Sequence, residues 1–257
     1  MKLNITIPVY NEERRLENGV RRLAPFLADV FPGEYELVIA DNASTDRTPE
    51  IAAKLAGEYP RIRVARLERK GRGGALRRVW TESAAEVCSY MDVDMSSDLA
   101  IFPELVRVVV AGEADLAIGS RLLRRDGTQR SWRREVLSCG YNILLRFVFG
   151  VRFSDAQCGF KVVSKHIVQR LVPLVENQHW FFDTELLVLA EQAGVRIHDS
   201  PVRWHEGPNS SVRVLPTVAH MLRGIVQLRR NLLSGLAAEA RRRWEESPRR
   251  GPSTSAT

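Results

Sequence analysis

The sequence predicts an α/β domain built on a largely parallel sheet. Short apolar runs recur with helical stretches between them, and the polar, chemistry-bearing segments fall at the carboxyl ends of those runs. A length of 257 residues with 44% hydrophobic content is enough for one sizeable core.

The alternation of Leu3, Ile5 and Ile7 predicts a first strand over 3–8, and helical spacing follows over 12–30. Further strands are predicted over 35–41, 62–67, 87–92, 115–119, 159–163 and 195–204. Helices fall between them over 46–58, 73–85, 102–112, 134–149, 165–173 and 183–193. No repeat or linker interrupts this run, so residues 1–215 are read as one domain. Val218, Met221, Leu222, Ile225, Leu232, Leu233 and Leu236 keep helical spacing beside Arg223, Arg229 and Arg230, which predicts a basic amphipathic helix over 216–244. The remainder, 245–257, ends in "SPRRGPSTSAT", a polar tail with Pro and Gly that is expected to be disordered.

The net charge is +7, and residues 213–250 hold nine Arg against three Glu, so nearly all of it lies near the end of the chain. With no nucleic-acid module in view, this concentration argues against a nucleic-acid-binding protein. No apolar run approaches the ~20 residues of a membrane span. The first residues also lack the basic-then-apolar layout of a secretory signal, so a cytoplasmic protein is expected. Cys88, Cys139 and Cys158 are odd in number and lack Cys-x-x-Cys spacing, which points to reduced core thiols.

In open α/β sheets, ligands bind beyond the carboxyl ends of strands. Here "PVYNEE", "ADNASTD", "ERKGRGG" and "MDVDMSS" follow the first four strands and predict one shared site. The first turn lacks Gly-x-Gly-x-x-Gly, which argues against a nicotinamide dinucleotide. Asp92 and Asp94 stand two apart where a strand opens into a loop, so both carboxylates can project to one side. Two anions so close raise each other's pKa unless a cation lies between them. A hard divalent ion, Mg2+ or Mn2+, bound through both carboxylates and a substrate diphosphate, resolves that conflict.

"ITIPVYNEERRL", "ADNASTDRT", "KGRGGALR", "MDVDMS" and "IGSR" occur in this order, and together they resemble the nucleotide-sugar half of family-two inverting glycosyltransferases with the GT-A fold. "SDAQCGFKVVSK", "FFDTELLVLA" and "PVRWHE" resemble the dolichyl-phosphate glucosyltransferase and mannosyltransferase branch, the glucosyl side more closely. The resemblance covers about residues 3–215. It implies a nucleotide pocket lined by Pro8, Tyr10 and Glu12, with Asp41 on the base or ribose. Arg72 can reach a diphosphate or can simply belong to a flexible basic turn. Asn42 stands where many relatives carry a second Asp, and Ser96 where mannosyl relatives often carry Gln. His205 is open as an additional ligand or a structural residue, and Asp155, Asp183 and Glu185 as sugar contacts or loop braces.

Arg121, Arg134 and Ser138 match positions that hold the acceptor phosphate in the polyprenyl-phosphate sugar transferases, a task that suits the planar, always-charged guanidinium. Arg134 at a helix start opposes the helix dipole, which favours an anion beside it. "VLSCGYNILLRFVFGVRF" is apolar around most of its helix, as a core helix or one at a lipid interface would be. The expectation is inverting transfer of glucose from UDP-glucose to a polyprenyl or dolichyl phosphate by a protein attached peripherally to an anionic membrane at its cytoplasmic face. The alternatives are GDP-mannose as donor, a sugar hydroxyl as acceptor, or a nucleotide-binding subunit without turnover.

Overall fold

The computed structural model describes residues 2–123, 132–204 and 214–246, apart from the side chains of 132–134 and 214–216. Its sheet has seven strands in the order β3-β2-β1-β4-β6-β5-β7. They are β1 (Leu3–Val9), β2 (Tyr35–Asp41), β3 (Ile62–Arg66), β4 (Val87–Met91), β5 (Leu116–Ser120), β6 (Phe160–Ser164) and β7 (Ile197–Pro201). Only β6 runs against the others, pairing antiparallel with both β4 and β5. The carboxyl ends of the six like-directed strands and the amino end of β6 therefore meet along one edge.

Helices cover both faces, as a parallel sheet requires. Leu3, Ile5, Ile7 and Val9 alternate toward one core, which they share with α1 (Leu16–Val30), α2 (Thr48–Glu58) and α4 (Phe102–Val110). Val38, Ala40, Cys88 and Tyr90 face the other core, under α3 (Arg72–Glu82), α5 (Trp132–Phe149), α6 (Lys165–Arg170) and α7 (Phe182–Gln192). Cys88 and Cys158 are buried, and burial pushes each thiol up to about 12, which keeps them unreactive.

Two differences from the sequence reading have clear causes. The helix expected from residue 12 starts at Leu16, because the preceding backbone bonds to the loop after β2. Asn11, Glu12 and Glu13 donate their N–H groups to Ser44 Oγ, Thr48 Oγ1 and Asp46 Oδ2, so the first two site loops are tied together. The second difference is the C-terminal helix, which is not one continuous rod. α8 (Val214–Asn231) passes through a π turn at Leu232–Leu236, with Gly235 at φ +110°, into α9 (Ala237–Glu245). The left-handed φ is one glycine tolerates, and it redirects the chain.

The amphipathic stripe is also split between two roles. Met221, Ile225, Leu228, Ala240 and Trp244 enter the second core, with Trp244 edge-on to His166 at 4.4 Å. Val218, Leu222, Val226 and Leu233 remain exposed. The helix over 134–149 divides likewise, with Leu145 and Phe149 buried while Ile143 and Phe147 are 63% and 89% exposed. α5 and α8 are neighbours, joined by Arg229 Nη1 donating to the Val148 carbonyl at 3.1 Å. No helix among the described residues is long and apolar enough to cross a membrane. The tail from residue 247 onward, expected to be disordered, lies outside the described residues.

Candidate active site

The shared strand edge gathers the polar loops as expected. Asp41 closes β2 with a fully buried carboxylate. Its Oδ1 accepts from Ser44 N at 3.0 Å, while Oδ2 has no hydrogen-bond partner among the described residues and lies 3.7 Å from Arg66 Nε. A buried carboxylate oxygen left without a donor suits a ligand that brings one. Tyr10 is partly exposed, with Lys70 Nζ 3.6 Å from its ring centroid, and Pro8 is half-buried at the end of β1. Glu12 is half-buried too. Burial raises its pKa, Arg15 pulls it down, and Asp94 pushes it up again.

Asp92 and Asp94 line one small cavity with Met95, Ser96, Gly159 and Trp204. Asp94 Oδ1 accepts from Ser96 N at 3.1 Å, which holds the turn, and Met95 takes a positive φ of 49° within it. Enclosure raises the Asp92 pKa, Arg72 lowers it and Asp94 raises it. Among the described residues no group of three or more His, Cys, Asp or Glu is placed to hold a metal. The paired carboxylates nonetheless fit a hard divalent ion that takes its other oxygens from a diphosphate.

Arg72 sits at the centre of this edge. Nη2 donates to Asp92 Oδ1 at 2.6 Å and Nη1 to Asp183 Oδ2 at 3.3 Å. The guanidinium also lies 4.8 Å from the Tyr90 ring centroid and 4.6 Å from that of Trp180. Burial works against its charge, but Asp92, Tyr90 and Asp183 raise its pKa overall. The glycines around Arg72 are not open to a ligand. A Cβ on Gly73 would stand 2.5 Å from Phe182 Cβ, and one on Gly71 would stand 2.7 Å from the Gln178 carbonyl oxygen. "KGRGG" is therefore Gly-rich because Gln178 and the start of α7 pack directly on it, and that packing fixes the backbone from which the Arg72 side chain extends.

Sequence reasoning left Asp183 and Glu185 open and missed Lys161, Gly159 and Trp180. Asp183 Oδ1 accepts from Tyr90 OH at 2.5 Å and lies 3.6 Å from Lys161 Nζ. Lys161 is fully buried and also donates to the Ala156 and Cys158 carbonyls. Glu185 accepts from the N–H groups of Glu176 and Asn177, so it braces the segment over Arg72. Gly159 sits where any side chain would meet Asp92, with a Cβ 1.8 Å from Oδ2. A glycine directly before a strand, two places from a lysine inside it, was the available signal.

Arg121 lies after β5 in a buried bidentate pair. Nε and Nη2 donate to Asp155 at 2.7 and 2.8 Å, and the Trp204 ring centroid is 5.1 Å away. Only its Nη1 has no bond to a described residue. Ser138 is buried in α5, and its Oγ has no partner among the described residues. Arg134 lies in the first turn of α5, but its side chain is outside the described residues, as is His205.

An α/β fold with these strand-end loops is that of GT-A glycosyltransferases. The glucosyl-3-phosphoglycerate synthase of Mycobacterium tuberculosis, solved with Mn2+, uridine-diphosphate-glucose and phosphoglyceric acid, matches with a TM-score of 0.66 at 20% identity, over 91% of this chain and 79% of that one. The sequence pattern described as "Glycosyl transferase family 2" matches residues 4–172, and the chain belongs to that family. Glycosyltransferase AglD of Haloferax volcanii is 37% identical over 223 residues, 86% of this chain. This chain spans only about a third of that relative's length, 36%. Dolichyl-phosphate beta-glucosyltransferase of Saccharomyces cerevisiae is 28% identical over 254 residues, 91% of this chain and 76% of that protein.

Proposed function

We propose that this transferase moves a glucosyl residue from UDP-glucose to a dolichyl-type polyprenyl phosphate with inversion, giving a β-linked lipid-phosphate sugar. The observation that carries this reading is the reach of the dolichyl-phosphate beta-glucosyltransferase likeness. It extends over 91% of the chain, past the family match that ends at residue 172 and through Asp183 and Glu185.

A phosphate monoester has its second pKa near 6, so the acceptor is already an anionic nucleophile at neutral pH and needs no general base. This chain's task is then alignment of that oxygen with the sugar C1. Arg134, Ser138 Oγ and the remaining Nη1 of Arg121 are the groups proposed to hold the acceptor phosphate. Asp41 takes a donor from the nucleoside, while Pro8, Tyr10 and Glu12 line its pocket. Asp92 and Asp94 would hold Mg2+ or Mn2+, which stabilises negative charge on the departing nucleoside diphosphate.

The test is sugar transfer by the purified protein to undecaprenyl or decaprenyl phosphate, with Mg2+ or Mn2+ and with UDP-glucose and GDP-mannose in parallel. Lipid-linked product from UDP-glucose, absent with Asp94→Ala, is expected. Donor consumption only when a sugar hydroxyl is supplied would refute the lipid acceptor, and product from GDP-mannose alone would refute the donor.

We further propose that the protein works at the cytoplasmic face of an anionic membrane; the lipid acceptor and the exposed apolar side chains of α5 and α8 support peripheral attachment. Phe147, Ile143, Leu222 and Val226 supply apolar area, and Arg223 and Arg230 lie beside Leu222 and Val226 to meet headgroups. Because α8 and α9 form part of the core, truncation is a poor test. Phe147→Glu with Leu222→Glu is expected to abolish co-sedimentation with phosphatidylserine-containing vesicles at physiological salt while leaving the thermal melt in place. Equal binding by wild type and variant would remove the membrane reading.

A further inference from the structure

Arg72 already occupies one of the two carboxylates that an incoming cation would use. Its Nη2 neutralises one oxygen of Asp92 at 2.6 Å, on the carboxylate that Asp94 already destabilises by like charge. A divalent ion approaching the pair therefore meets a resident positive charge, and the two compete for Asp92. The guanidinium is confined, with its side chain only 11% exposed between the Tyr90 and Trp180 rings.

The surroundings also make Arg72 the removable member of the cluster. Asp183 would not be abandoned if Arg72 turned away, because Tyr90 OH donates to it at 2.5 Å and the buried Lys161 ammonium stays 3.6 Å from it. Lys161 is itself tied to two backbone carbonyls and has no comparable freedom. Asp92, by contrast, has no other cation within salt-bridge distance among the described residues. Arg72 thus compensates Asp92 only until something else does, and a nucleoside diphosphate offers the released guanidinium a new anionic partner with matching two-point geometry.

We infer that Arg72 is a positioning residue that guards the carboxylate pair. It holds Asp92 in place and blocks free divalent metal. It passes to the diphosphate when metal and nucleotide arrive together, which makes the two bind synergistically. This inference rests on the reading of Asp92 and Asp94 as a metal and diphosphate site.

Direct Mn2+ binding, followed by the loss of the free-ion electron paramagnetic resonance signal with and without UDP, tests it apart from turnover. Wild type is expected to bind Mn2+ weakly alone and more tightly with UDP. Arg72→Met should bind Mn2+ alone at least about fivefold more tightly than wild type, with the enhancement by UDP reduced by a similar factor, since coupling between two ligands is reciprocal. Arg72→Lys, which keeps the charge, should stay near wild type for Mn2+ alone. If Arg72→Met does not fold by near-UV circular dichroism, Asp183→Asn serves instead, because it leaves Arg72 to Asp92 alone and should weaken Mn2+ binding. Arg72→Met binding Mn2+ no more tightly than wild type, with both binding Mn2+ plus UDP, overturns the guard and spares the metal site. The same holds for Asp183→Asn binding Mn2+ as wild type does. Absence of Mn2+ binding to wild type under both conditions overturns the two together.

Discussion

Gly159→Ala is expected to lower turnover roughly 100-fold, the scale of loss that a misplacement of about 1 Å produces among positioned groups. The added Cβ would lie 1.8 Å from Asp92 Oδ2 and 2.5 Å from Asp92 Cγ, so the carboxylate has to swing away and surrender its bond to Arg72. The clash is with one side chain, so the effect should vanish where that side chain is gone. In an Asp92→Ala background, Gly159→Ala should cost little further stability. The urea-unfolding cycle should then give a coupling of roughly 0.5–3 kcal/mol, the range found for residues in contact. Turnover within threefold of wild type, or strictly additive stabilities, would show that the site tolerates the methyl group.

Arg121→Ala should destabilise the fold by about 3–5 kcal/mol at pH 7, the usual cost of leaving one member of a buried ion pair without its partner. Asp155 is fully buried and Arg121 only 6% exposed, so water cannot replace what is lost. A variant as stable as wild type would mean that Arg121 serves only a ligand. The pH dependence gives a second readout. Burial raises the Asp155 pKa, but the charge and hydrogen bonds of Arg121, together with the Lys161 charge, outweigh it, and the net shift is downward. A depressed carboxylate pKa contributes stability that is present above the unfolded value, about 3.9, and is lost as pH falls through the folded value. Without Arg121, burial dominates and Asp155 folds more readily when protonated. The stability gap between wild type and variant should therefore narrow as pH drops from 7 toward 4, whereas a gap constant with pH would count against the pair.

Much of this edge is legible in the sequence. Asp92 and Asp94, Asp41 and the "PVYNEE" turn were visible because polar residues directly after apolar strands are placed by topology, and topology follows from periodicity. Arg72 was visible as a residue but not as a role. Its environment is made by Asp183, 111 positions away, and by Trp180, and no local pattern encodes such a pairing. The glycines of "KGRGG" allowed a flexible basic turn, whereas close packing on Gln178 and Phe182 is what requires them. Arg121 similarly matched an anion-binding position, and only the fold revealed that Asp155 already fills most of its fork.

The α/β class, the strand edge that gathers the polar loops, the carboxylate pair and the family likeness could all be read from the chain alone, because each depends on near-neighbour spacing or on motifs in order. Which charges meet is set by the folded chain: Arg72 with Asp92 and Asp183, Lys161 with Asp183, and Arg121 with Asp155. It also decided that the C-terminal helices divide their apolar residues between the core and the surface. The physical reason is the same in each case. Partners for a buried charge or an apolar helix face are chosen by three-dimensional proximity across the sheet edge and its covering helices, and sequence spacing carries no record of that choice.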